Sequence, residues 1–344
     1  MQIANIDINK KVFIIAELSA NHNGDKQIAL DTVKAAKKAG ADAIKLQTYT
    51  PDTITIDCDN KYFQIKDGTI WDGKTLYELY TEAFTPWEWH EELFKVARNE
   101  GLICFSTPFD RKAVDLLEKL NTPAYKIASF EIQDIPLIKY AASKRKPIIL
   151  STGIATEEDI QLAVDTCRKA GNTNIILLKC TSSYPAPIEL ANLKTMVDMK
   201  NRFDVEVGLS DHTIGNTVPV VATALGAKVI EKHLILDKSI GGPDANFSLD
   251  VDEFNDLVES VRKAEKALGN ITYEIPQRVK KSTKFARSLF VVKDIKKGQK
   301  FTEENIRSIR PGYGLHPKYY ERVLGNRARQ DLKRGIPLKK NHLE

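Results

Sequence analysis

Eight short apolar runs, each followed by a longer amphipathic stretch, constrain this chain more than any other feature. The runs occupy residues 12–16, 43–47, 102–106, 124–128, 147–151, 175–179, 205–208 and 228–233. Each is too short for a helix and rich in β-branched residues, as expected of a parallel strand buried on both faces. The stretches between them, for example 26–39, 86–100 and 156–170, space their apolar residues as helices do. Thr156 before Glu157, Glu158 and Asp159 reads as an N-cap with an acidic first turn, and Gly171 as the residue that ends the helix. Eight strand–helix units in about 260 residues match an α/β fold of the (β/α)₈ TIM-barrel type. A doubly wound open sheet is the alternative, weakened because no GxGxxG follows the first run.

The barrel pattern does not fill all 344 residues. The predicted division is a barrel over 1–268 with a short N-terminal extension, a polar linker over 269–284, and a small domain over 285–344 with tight turns at Gly298, Gly312 and Gly335. Residues 270–344 hold 19 Lys and Arg against 7 Asp and Glu, which leaves 32 against 39 for the rest, so a +12 tail follows a −7 body. A basic module of this size is marginal alone and is expected to dock on something anionic. A long insert, 48–85, follows the second run, where a barrel places its catalytic loops. The N-terminus carries no signal-peptide core and no apolar run reaches the ~20 residues of a membrane span, so a cytoplasmic protein without a membrane partner is expected. Cys58, Cys104, Cys167 and Cys180 form no CxxC pair and read as reduced thiols.

In a barrel the C-terminal strand ends form the active site. Those ends carry Glu17, Lys45, Gln47, Lys126, Ser129, Ser151, Lys179, Thr181, Tyr184, Ser210, His212 and His233. Several lysines among hydroxyls suit a compact polyanion bearing phosphate and carboxylate. His212 and His233, on adjacent strands and each beside an acidic residue, suit a shared divalent metal. His22 is open between a substrate contact and a turn cap, whereas His90 reads as structural.

Read in order, the phrases Glu17-Leu-Ser-Ala-Asn-His22, Lys45-Leu-Gln47, Phe105-Ser-Thr-Pro108, Lys126-Ile-Ala-Ser129, Ser151-Thr-Gly153, Lys179-Cys-Thr-Ser-Ser-Tyr184, Ser210-Asp-His212 and Glu231-Lys-His233 resemble the sialic acid synthase family. The tail, with Lys296-Lys-Gly298 and Ile309-Arg-Pro-Gly312, is similar to that family's antifreeze-like (SAF) domain. The strand-1 exit and the insert around Trp71 and Trp87 resemble its pseudaminate-forming branch. The resemblance implies condensation of phosphoenolpyruvate with 2,4-diacetamido-2,4,6-trideoxy-altrose and water, with phosphate leaving by C–O cleavage. A manno-configured sugar, giving N-acetylneuraminate or legionaminate, is the alternative. It further implies His212 and His233 as ligands of Mn²⁺, with Mg²⁺ or Co²⁺ as alternatives, and Glu17 as the group managing water or a proton. Lys45, Lys126, Ser129, Ser151, Thr181 and Ser210 would hold phosphoenolpyruvate. Gln47, Tyr184 and Asp244 would face the sugar, with Arg310 lent by the small domain of a second subunit in a domain-swapped homodimer. The product would feed surface glycans or flagellin glycosylation. Two remote readings compete. A Schiff-base aldolase would use Lys126 as nucleophile and leave the histidines without a role. A nucleic-acid binder would use the basic tail, which lacks a recognisable motif.

Overall fold

The computed structural model describes residues 1–66, 68 and 71–344. Two compact units appear, Met1–Gly269 and Asn270–Glu344. In the first, β3 (Phe13–Glu17), β4 (Ala43–Thr48), β5 (Ile103–Pro108), β6 (Tyr125–Ile127), β7 (Ile148–Ser151), β8 (Ile175–Cys180), β9 (Glu206–Asp211) and β10 (Val229–His233) run parallel, and β10 pairs with β3 to close a barrel. The fold is the TIM barrel expected from the alternating pattern, and not the doubly wound open sheet.

Side chains alternate across each strand, so every second residue faces the barrel axis. Near the strand starts these are apolar: Phe13, Ile15, Ala43, Phe105, Ile149, Ile176 and Val229 share one buried cluster. Ile3 and Ile8 join it from a two-stranded hairpin, β1 (Gln2–Ile3) and β2 (Ile6–Asp7), which the sequence showed only as a polar start. The outward set packs against the helices in a second, larger cluster. Gly208 faces inward on β9 because nothing larger fits: a Cβ there would collide with the Val229 carbonyl oxygen.

The insert is not a bare loop. It holds two short helices, Pro51–Ile54 and Leu76–Ala83. A capping box starts the second: the Thr75 hydroxyl accepts from the Glu78 amide at 3.2 Å, and the Glu78 carboxylate accepts from the Thr75 amide at 2.8 Å. Thr156 and Asp159 make the same reciprocal cap at Glu157–Lys169, and Gly171 takes a positive φ of 81° just past that helix.

The second unit pairs β11 (Ser288–Val291) antiparallel with β12 (Ile306–Ile309) over its own core of Leu289, Val291, Phe301, Ile306 and Leu332. Residues predicted as linker include two helical turns, Gln277–Lys280 and Lys281–Phe285. No helix among the described residues is long and apolar enough to cross a membrane.

Candidate active site

The inward positions that are apolar near the strand starts become charged at the strand ends. Glu17, Lys45, Lys126, Ser151, Cys180, Ser210, Glu231 and His233 converge at the C-terminal mouth around a cavity of about 200 Å³. The lysines are buried and fully engaged. Lys45 donates to Glu17 Oε1 at 2.5 Å and lies 3.7 Å from Glu231 Oε1. Lys126 donates to that same Glu231 oxygen at 2.6 Å, and Ser210 donates to it at 3.0 Å. One buried carboxylate thus holds two ammonium groups side by side. Burial works against charge on Lys45, but Glu17 and Glu231 outweigh it and raise its pKa. Burial likewise opposes ionisation of Glu17, and Lys45 with His233 overcomes it, holding the carboxyl far below its usual range.

The two histidines lie above this floor with ring centroids 5.4 Å apart. His212 Nδ1 is 3.1 Å from the Thr181 carbonyl and 3.9 Å from Cys180 Sγ, which leaves Nε2 for another partner. Burial lowers the His233 pKa and favours the neutral, ligating ring. Its Nε2 is 3.3 Å from Glu17 Oε2, and its buried Nδ1 makes no hydrogen bond. No group of three or more His, Cys, Asp or Glu side chains among the described residues is arranged to hold a metal. Any metal here would have two imidazoles and open positions. Burial raises the Cys180 thiol pKa and His212 draws it back down, to about 7 overall.

The other candidates divide. Gln47 donates to Ser19 Oγ at 3.0 Å and lines the cavity, as do Ser129, Tyr184 and Asp244. Asp244 accepts from the Ala20 amide at 3.2 Å, which ties the loop after β10 to the exit of β3. The Ser129 hydroxyl accepts from the Gly153 amide at 3.1 Å, while the buried Ser151 hydroxyl has no protein partner. Thr181 departs from expectation: its hydroxyl donates to the Leu190 carbonyl at 3.1 Å, it does not line the cavity, and only its backbone carbonyl reaches His212. Lys179 also departs. It is an outward residue of β8 and donates to the Cys180 carbonyl at 2.8 Å. Asp211 likewise faces outward, into a 2.5 Å ion pair with Lys232. Arg310 follows β12 in the second unit. His22 is buried between Thr85, at 3.1 Å, and the Trp89 ring. His90 is 2.9 Å from Thr48 Oγ1.

Sequence reasoning passed over Glu231 as a binding residue, although it lies two positions before His233 and so shares its face. Ser19 was legible only as a polar residue at the exit of the first strand, and Cys180 and Glu131 were missed as site residues. Burial, and then Asp134, push the Glu131 carboxyl up to about 7, and its Oε2 has no hydrogen-bond partner. No strand period reaches Glu131, which sits in a 3₁₀ turn, Ser129–Glu131.

A closed parallel barrel with ion-paired lysines, serine hydroxyls and two imidazoles at its mouth suits an enzyme for small anionic substrates. The chain belongs to the NeuB family, whose sequence pattern matches residues 32–273, and a SAF domain matches residues 286–344. The pseudaminic acid synthase of Campylobacter jejuni is 53% identical, with all of both chains aligned. The N,N'-diacetyllegionaminic acid synthase of Legionella pneumophila is 38% identical, over 96% of this chain and 94% of that one. Among solved structures, the N-acetylneuraminic acid synthetase of Leptospira borgpetersenii, in complex with citrate, superposes with a TM-score of 0.73 at 32% identity, covering 82% of this chain and 94% of that one.

Proposed function

We propose that this enzyme makes pseudaminate from phosphoenolpyruvate, water and 2,4-diacetamido-2,4,6-trideoxy-altrose, releasing phosphate. The observation that carries the reading is the pair of buried lysines on one carboxylate beside two imidazoles, in a chain 53% identical to a pseudaminic acid synthase throughout. The lower identity to a legionaminic acid synthase, 38%, favours the altro sugar over a manno one.

The chemistry follows from charge. Two lysines and the carboxylates of Glu17 and Glu231 nearly cancel, so a trianionic phosphoenolpyruvate needs further positive charge. His212 and His233 fit a divalent metal: His233 is held neutral, its Nδ1 is orphaned, and His212 Nε2 is left over. Mn²⁺, or Mg²⁺ or Co²⁺, bound there would supply that charge and polarise the aldehyde oxygen. Lys45 and Lys126, with Ser129, Ser151 and Ser210, grip the phosphate and carboxylate, and being pre-paired they need no reorganisation as charge shifts. Carbon 3 of phosphoenolpyruvate then bonds to the aldehyde carbon, whose oxygen takes a proton. Water adds at carbon 2 and gives up one proton to solvent, and the resulting carbon-2 hydroxyl passes its proton to the departing phosphate as the carbon–oxygen bond breaks, leaving the ketone. Glu17, ionised between Lys45 and His233, is placed to hold and orient that water. The 2.6 Å ion pair of Lys126 with Glu231 supports an anion-binding role for it over that of a Schiff-base nucleophile. Gln47, Tyr184 and Asp244 face the sugar, and Arg310 reaches it from a second subunit in a domain-swapped homodimer. Phosphoenolpyruvate is a cytoplasmic metabolite, so the enzyme works in that compartment.

The test is product identity. Carbon-13-labelled phosphoenolpyruvate, the altro sugar and Mn²⁺ should give labelled pseudaminate by NMR. Labelled pyruvate alone would overturn the reading.

A further inference from the structure

The cavity has two chemically different halves. Its floor is the charged cluster described above. One wall, by contrast, is largely apolar: Tyr49 on the exit of β4, Phe109 after β5, and Ile54, Leu79 and Ala83 from the two helices of the insert, with Tyr80 and Glu131 also lining the cavity. The wall is built and not incidental. Tyr49 is 2% exposed, stands edge-on to Phe109 at 5.0 Å and to Tyr80 at 5.8 Å, and its carbonyl accepts from the Trp87 indole at 3.0 Å. Leu79 and Ala83 lie four residues apart and so share one face of their helix, and both are nearly buried against the cavity. Water gains nothing against the Ile54, Leu79 and Ala83 side chains, and neither does a sugar hydroxyl, which would lose its hydrogen bonds there.

Resting on the synthase reading above, we infer that Ile54, Leu79 and Ala83 form a receptor for the methyl group at carbon 6 of the sugar and set the preference for a 6-deoxy substrate. The continuity of wall and floor in one cavity carries this. A sugar whose aldehyde lies over the floor extends its far end only a few ångströms, and an alkyl end gains from this wall what a hydroxylated end loses. Discrimination of this kind is worth roughly 10- to 100-fold.

The test separates the wall from the reaction. The alditols obtained by reducing 2,4-diacetamido-2,4-dideoxy-altrose and its 6-deoxy counterpart cannot react, so their affinities, read by NMR titration with phosphoenolpyruvate present, report recognition alone. The 6-deoxy alditol should bind about tenfold more tightly to the wild-type chain. Ile54→Asn and Leu79→Gln should bring the two affinities together, whereas Leu79→Met should keep them apart. Equal affinity in the wild type, or binding of neither, overturns the inference without reference to any variant's folding. A persistent gap in both polar variants, with folding confirmed by thermal melting, overturns it too. A 6-deoxy preference without turnover of any aldehyde would sink the synthase reading and leave the wall. Turnover without that preference would do the reverse.

Discussion

Glu231 is the residue on which the floor depends. Its Oε1 is within 2.6 Å of Lys126, 3.0 Å of Ser210 and 3.7 Å of Lys45, all buried. Glu231→Gln leaves two ammonium groups close together with half their compensation. Unfolding in urea should show a loss of about 3 kcal/mol, the usual cost of breaking a buried pair. Phosphate-release kinetics should show kcat/KM lower by about 100-fold, through the loss of fixed charge. Unchanged stability would mean that the lysines find other partners. Glu131 makes a pH prediction. Its carboxyl titrates near 7 when folded against an ordinary 4.5. Below the ordinary value it is protonated in both states and costs nothing. As pH rises through about 7 the folded chain must bury a charge that the unfolded chain ionises freely, so stability falls. Thermal melts of Glu131→Gln should therefore match the wild type at acid pH and exceed it at pH 8. A gap largest at acid pH would contradict this. In the sequence Glu231 was legible only as the acidic neighbour of His233, and Glu131 not at all. Glu231 was within reach of the period-2 rule, and Glu131 was not, because only the tertiary fold turns a 3₁₀ loop into a cavity wall.

At the level of elements, the barrel was legible because eight runs of consecutive apolar residues allow little else. Each of the eight barrel strands lies within three residues of its predicted bounds. What escaped was the direction of individual side chains: Lys179 and Asp211 occupy outward positions, and Thr181 lies past the strand, where alternation stops. The N-terminal hairpin escaped because two-residue strands carry no period. The insert matters most here. Thr75→Ala removes the hydroxyl that caps Leu76–Ala83, at a local cost of about 1 kcal/mol. Faster amide exchange across that helix should accompany a higher KM for the sugar, with the KM for phosphoenolpyruvate steady. Equal rises in both would place the helix elsewhere in the mechanism. Gly208→Ala drives a methyl into the β10 backbone, and denaturant melts should show it destabilised by about 3 kcal/mol.

For the whole molecule, a −7 body followed by a +12 tail is a charge arrangement suited to association. If the SAF domain of one subunit serves the barrel of another, two dead chains can rescue each other. Mixing Arg310→Ala with His233→Ala and reassembling should restore up to about a quarter of wild-type turnover, since half the dimers are mixed and each mixed dimer has one intact site. No rescue from dimers shown to exchange would confine each site to one chain. The most direct test of the proposed reaction is phosphate release from phosphoenolpyruvate with Mn²⁺ and three aldehydes in parallel: N-acetylmannosamine, 2,4-diacetamido-2,4,6-trideoxy-mannose and 2,4-diacetamido-2,4,6-trideoxy-altrose. Release selective for the altro sugar, abolished by EDTA and restored by Mn²⁺, is the predicted result; preference for a manno sugar, or release indifferent to metal, would contradict it.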